Sequence, residues 1–248
     1  KLIDDYHKIY LIDIPGFGVS EPLESQNLEN TSECINLLIH KIKQTQEKDS
    51  TSYKTRAIID VIGHSYGAFL LQYILKHNLT TSLIINKLVL VSVGSLYKTL
   101  HSAKVDIWRT YFWGIIFRYR LYAGFIRILS SILPVCIWNF ICKYFNECKI
   151  LNKSEPGEKL LSNALIISWK KGSFIWNKPC GSNIIELNKK LQVYLLWGEK
   201  DQMFRCEIAN NFAKKNNIYI DVIPNEGHQP ILSNINTSVV YLKKILNN

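Results

Sequence analysis

The stretch Ala57-Ile58-Ile59-Asp60-Val61-Ile62-Gly63-His64-Ser65-Tyr66-Gly67 decides the reading of this chain. Residues 57–62 form a run dominated by isoleucine and valine, the composition of a strand buried on both faces. Behind it, residues 66–77 place Phe69, Leu70, Tyr73 and Ile74 at helical spacing. Between the two stands Gly63-His64-Ser65-Tyr66-Gly67, a G-x-S-x-G pentapeptide. At a strand-to-helix junction this pattern is a nucleophile elbow. Its glycines let the backbone turn so sharply that the serine hydroxyl stands out at the top of a sheet.

The same rhythm extends in both directions. Residues 7–13 (His-Lys-Ile-Tyr-Leu-Ile-Asp) read as another buried parallel strand, running into the turn-rich Asp13-Ile14-Pro15-Gly16-Phe17-Gly18-Val19-Ser20. Residues 34–42 carry Ile35, Leu38, Ile39 and Ile42 with helical periodicity. Further strands are predicted at 87–93, 192–197 and 218–223, and a last helix at 237–246. Short apolar strands alternating with helices predict an α/β fold, a mostly parallel sheet sandwiched by helices.

Residues 95–190 break that rhythm. They hold five of the six tryptophans (Trp108, Trp113, Trp138, Trp169 and Trp176) and show no strand pattern, which predicts a helical cap inserted between a first core segment, 1–94, and a second, 191–248. Charge divides the chain in the same place. The whole chain has 30 Lys and Arg against 20 Asp and Glu, and residues 95–190 have 15 against 5, so the core is neutral and the excess of +10 lies in the cap. With residues 105–127 helical, Arg109, Arg120 and Arg127 fall within about 20° of one another around the axis. A cationic stripe among Trp, Tyr and Phe is the composition of an interfacial surface, and an anionic membrane is the partner it predicts; a solvated lid face accounts for the same residues equally well.

Bulk composition narrows the classes further. At 47% hydrophobic and 20% charged residues over 248 positions, the chain is globular and long enough for one domain with an insertion. No uncharged apolar stretch reaches the roughly 20 residues of a membrane span; the nearest, 128–142, contains Pro134. Cys34, Cys136, Cys142, Cys148, Cys180 and Cys206 show neither C-x-x-C nor metal-ligand spacing, and read as free thiols in a reducing, intracellular compartment. Basic charge comes with no nucleic-acid-binding motif, so a nucleic-acid partner is not expected.

Downstream of the elbow lie Trp197-Gly198-Glu199-Lys200-Asp201 and then Gly227-His228, giving the chain order Ser, Asp, His. That order, with the Asp-x-Pro-Gly-x-Gly segment upstream, resembles the α/β-hydrolase family, whose triads run in that sequence. The resemblance implies Ser65 as nucleophile, His228 as the base that activates it, and Asp201 as the acid that orients the imidazole. Glu199 and Glu226 are rival acids at positions that match the family less well. His64 is read as a packed structural neighbour. One oxyanion-hole donor is implied to be the backbone N–H of Tyr66. The family's second donor comes from a His-Gly-type loop after an earlier strand, and none lies between Lys1 and Asp13. The chain is therefore expected to be N-terminally incomplete, lacking the first three strands of the fold, including one between the strands at 7–13 and 57–62.

What the resemblance implies is a serine hydrolase cleaving a carboxylic ester, such as an acyl lipid or other hydrophobic ester, through an acyl-serine intermediate with no metal or organic cofactor. An aspartate-nucleophile chemistry is disfavoured by Ser65. The competing reading is a non-catalytic relative that binds a hydrophobic ligand or an anionic membrane through its cap. If the arginine stripe is an interfacial surface, replacing Arg109, Arg120 and Arg127 by Gln together should weaken sedimentation with phosphatidylserine vesicles, most strongly at low salt. Equal binding by the triple variant would identify a merely solvated face.

Overall fold

A computed structural model of the chain describes residues 8–16, 20–21, 23–24, 28–49, 58–77, 84–93, 96, 181–201 and 204–247. The expected cap body, with Arg109, Arg120, Arg127 and the four cysteines from Cys136 to Cys180, lies outside the described residues. In chain order the elements are α1 (Leu28–Asp49), β1 (Ile58–His64), α2 (Tyr66–Lys76), β2 (Ile84–Val91), α3 (Gly181–Asn188), β3 (Gln192–Gly198), α4 (Cys206–Asn216), β4 (Tyr219–Ile223), α5 (Pro230–Ser233) and α6 (Ile235–Asn247).

The four strands pair in chain order, β1-β2-β3-β4, and every pair is parallel. Parallel neighbours cannot be joined by a tight turn, so each connection crosses a face of the sheet, and helices occupy those crossings. Register then fixes where the strands end. His64 pairs with Val91, Val91 with Leu196, and Gly198 with Ile223, so the C-terminal ends of all four strands emerge together.

Both faces are covered, which explains why the strands read as continuous apolar runs. Successive side chains of a strand point to opposite faces. Leu88 and Leu90 of β2 join Val193, Leu195 and Trp197 of β3 under α2, α3 and α4. Val89 and Val91 join Leu196 and Ile223 under α6, which contributes Leu242, Ile245 and Leu246. Ala209 and Ala213 face the sheet from α4, and their small side chains let that helix lie close to it. A third, smaller cluster of Leu28, Phe69 and Leu70 seats α1 against α2.

Two expectations require correction. Residues 8–14 are not a strand, and the side chains of Ile9, Tyr10, Leu11 and Ile12 are exposed, Leu11 to 93%. The sheet runs β1-β2-β3-β4 and does not take in this segment. Its far end does pack: Ile14 reaches the Leu28 cluster, and Pro15 and Gly16 are buried. The second correction concerns the end of the insertion. Ile184 and Leu187 of α3 are buried in the main core beside β2 and β3, so this helix belongs to the core although it precedes the expected boundary at 190. The helix expected at 34–42 is longer, Leu28–Asp49. Cys34 and Cys206 are free thiols. No helix of the described residues is long and apolar enough to cross a membrane.

A lysine is buried among the strands. Lys87, 6% exposed on β2, donates from Nζ to the carbonyls of Leu246 at 2.6 Å and Ile245 at 3.3 Å, at the C-terminal end of α6. A helix C-terminus presents its last carbonyls without intrahelical donors and carries partial negative charge, so a cation there is doubly favoured. Replacing Lys87 by Met should leave those carbonyls without their donor. The expected loss is about 2 kcal/mol of stability, read as a lower urea midpoint at unchanged slope.

Candidate active site

The site is assembled where three strand ends converge. Ser65 follows the last residue of β1 and caps α2 with φ 50° and ψ −111°, a conformation that costs a non-glycine residue of order 1–3 kcal/mol. Two hydrogen bonds hold it there. Ser65 N–H donates to Val91 O at 2.9 Å, and Phe69 N–H donates to Ser65 O at 3.1 Å, the first rung of α2. Gly63 makes the turn possible in another way. A Cβ at that position would stand 2.8 Å from the Ala68 backbone and 2.7 Å from Leu71 Cδ1, so any side chain would push α2 off the strand end. A Cβ at Gly67 would meet Ile14 at an ordinary 3.5 Å, so of the two motif glycines Gly63 is the one that packing demands.

His228 lies in the loop between β4 and α5, and Asp201 in the loop after β3. The structure brings both to Ser65. His228 Nδ1 is 3.0 Å from Asp201 Oδ2, and His228 Nε2 is 3.0 Å from Ser65 Oγ. A carboxylate only accepts, so the proton sits on Nδ1, and the Nε2 lone pair is left to accept from the serine hydroxyl. Asp201 and His228 are 4% and 5% exposed. The acid is held from its other oxygen, because Phe204 N–H donates to Asp201 Oδ1 at 2.8 Å. Phe204 is fixed in turn by Trp197 Nε1–H, which donates to its carbonyl at 2.7 Å, and its ring meets the His228 imidazole edge-on at 5.1 Å.

The rival acids are occupied elsewhere. Glu199 accepts the Asn225 N–H at 2.9 Å, and Glu226 accepts the Ser233 hydroxyl. Both therefore brace the histidine loop and neither reaches the imidazole. The Glu226 carbonyl also takes the Lys200 N–H at 2.7 Å, clamping the histidine loop to the acid loop. Gly198 sits beneath this clamp. A Cβ there would lie 2.0 Å from Gly227 O, closer than atoms can approach.

Tyr66 opens α2, placing its N–H at the positive end of a helix whose axis points at Ser65. Its phenol is pushed up to about 12, first by burial, and packs toward Leu28, Phe69 and Leu70. What sequence reasoning missed is the second bond of the elbow. His64 Nε2 donates to the backbone carbonyl of His228 at 2.8 Å, and the two rings stand 5.2 Å apart. In the sequence His64 gave no sign of this contact, since it spans 164 positions.

No protein-family model matches the chain, and no curated protein matches it. Solved structures do. A thermophilic esterase from Thermogutta terrifontis aligns with 95% of this chain and 78% of its own at 16% identity and a TM-score of 0.57. MenH from S. aureus aligns with 96% of this chain and 83% of its own, at 18% identity and a TM-score of 0.58. An α/β-hydrolase enzyme from a Medee basin deep-sea metagenome library gives 95% and 78%, at 15% identity and a TM-score of 0.57. The chain has the α/β-hydrolase fold.

Burial holds His64 at about 4, well below its ordinary 6.5, reinforced by the neighbouring His228 and opposed by the bond to the His228 carbonyl and by Asp201. The sign of the linkage follows. Above pH 6.5 the group is neutral folded or unfolded. Below it the unfolded chain takes up a proton that the folded chain refuses until about pH 4, so His64 makes stability fall as the solution is acidified. Across that window the loss from this group is about 3 kcal/mol. His64→Phe should flatten the acid limb of stability measured by urea titration between pH 7 and pH 4.5; an unchanged slope would refute the assignment.

Proposed function

We propose that this protein is a serine hydrolase that cleaves carboxylic esters, with Ser65, His228 and Asp201 as its triad and the Tyr66 N–H as an oxyanion donor. The observation that carries the reading is the unbroken chain of hydrogen bonds from Ser65 Oγ through both nitrogens of His228 to the buried Asp201, each 3.0 Å long. A serine hydroxyl is a weak nucleophile at neutral pH, and a base within hydrogen-bond reach is what the chemistry requires.

In the proposed reaction Ser65 Oγ attacks the ester carbonyl carbon while its proton passes to His228 Nε2. Buried Asp201 stabilises the imidazolium that results. The tetrahedral oxyanion forms beside the N-terminus of α2, where the Tyr66 N–H and the helix dipole favour negative charge. Collapse expels the alkoxide, which takes the proton from His228 and leaves as an alcohol. Water then attacks acyl-Ser65, with His228 again as base, and the carboxylic acid departs. A hydrophobic acyl substrate and an anionic membrane surface are proposed from the aromatic, cationic composition of residues 95–190.

Unequal roles predict unequal effects. Ser65→Ala should abolish covalent labelling by a fluorophosphonate probe, and His228→Ala should nearly do so. Asp201→Asn should keep the fold and slow labelling by up to about 10⁴-fold, since the imidazole would settle in the wrong tautomer. Labelling at another residue, or an unslowed Asp201→Asn variant, would overturn the assignment. A folded wild-type chain that does not label would favour the non-catalytic reading.

A further inference from the structure

The elbow makes two consecutive contacts with one residue. In a regular strand His64 and Ser65 would point to opposite faces. The φ of 50° at Ser65 breaks that alternation, so that Ser65 Oγ meets the His228 ring while His64 Nε2 meets the His228 carbonyl. That carbonyl needs a donor. The first rung of α5 is Ser233 N–H to Gln229 O, so the carbonyl of His228 falls one residue outside the helical ladder, on a residue that is 5% exposed. A buried carbonyl without a donor is rare because its desolvation goes uncompensated.

The clamps on the far side of the loop act at other residues. Lys200 N–H holds Glu226 O, Glu199 holds the Asn225 N–H, and Ser233 Oγ–H holds Gln229 O at 3.0 Å. They fix the loop to β3 and α5, but none ties it to the strand that carries the nucleophile. A carbonyl can only accept, so His64 must carry its proton on Nε2.

We propose that His64 is a positioning residue: as a neutral Nε2–H donor to the His228 carbonyl, it sets the distance and orientation of the His228 imidazole relative to Ser65. This rests on the triad reading given above. A base displaced by an ångström loses about 100-fold in rate, so a single backbone anchor can carry a kinetic effect without touching substrate.

Nitrogen-15 NMR of the histidine side chains of the intact chain supplies the first test. His64 is expected as the Nε2–H tautomer at neutral pH, with a slowly exchanging proton; the Nδ1–H tautomer or rapid exchange would overturn the proposal. The second test compares His64→Phe, which keeps a ring without a donor, with His64→Gln, whose amide nitrogen can occupy the Nε2 position. His64→Phe should slow fluorophosphonate labelling by about 10- to 100-fold and broaden the low-field proton shared by His228 Nδ1 and Asp201. His64→Gln should recover most of the rate and a sharp low-field proton. A folded His64→Phe chain with the wild-type rate and an unaltered low-field proton would refute the idea. Where His64→Phe does not fold, the wild-type tautomer and the His64→Gln measurements still decide it. A wild-type chain that does not label refutes the triad reading alone, because the tautomer and the low-field proton are read without any reaction.

Discussion

One hydrogen bond, from Ser65 N–H to Val91 O at 2.9 Å, underlies the whole arrangement. It continues the β1–β2 ladder one step beyond the last paired residues, His64 and Val91, at the point where the chain must reverse. Without that anchor a serine at φ 50° would relax toward an unstrained conformation, and the hydroxyl would leave the sheet's upper edge. The strain is sustained because α2 begins immediately afterwards and is packed through Ala68, Phe69, Leu70 and Ile74. Strand, turn and helix thus over-determine one backbone geometry.

The same economy governs the two loops that face the elbow. Carboxylates that could have competed for the imidazole, Glu199 and Glu226, are committed to the Asn225 N–H and the Ser233 hydroxyl. Asp201 alone of the three bonds the ring, and Phe204 holds its second oxygen. An acid held at each oxygen by a fixed donor has little freedom to wander, which is the form of preorganisation that electrostatic stabilisation requires.

Much of this could be read from sequence because it is local. The elbow, the apolar runs of β2, β3 and β4 and the helix behind Ser65 are signals contained within a dozen residues. Their convergence was implied by the chain order of Ser65, Asp201 and His228. What escaped was set by contacts distant in sequence. Residues 8–14 carry a strand's composition, yet Leu11 is exposed and the segment lies outside the four-stranded sheet, since composition does not decide where a segment docks. Gly181–Asn188 looked like part of the inserted helical cap, and only the burial of Ile184 and Leu187 against β2 and β3 reveals a core helix. Lys87 resembled the polar start of a strand, whereas its ammonium lies under the end of α6. His64 showed only the general tendency of such a residue to pack, and its acceptor lies on the opposite side of the chain's order.

The pairing of β2 with β3 has a consequence for how such a protein can change. Val91 and Leu196 are ladder partners although more than a hundred positions separate them, so Ser65, which bonds Val91, is tied to β3 through the sheet. The entropy of closing a flexible loop rises only logarithmically with its length, by about 0.6 kcal/mol for each doubling. Length changes in the chain between β2 and α3 therefore carry a small entropic cost, whereas α3 itself, buried against β2 and β3, has to stay. A lineage can vary its sequence there while Ser65, Asp201 and His228 stay bolted to the strand ends.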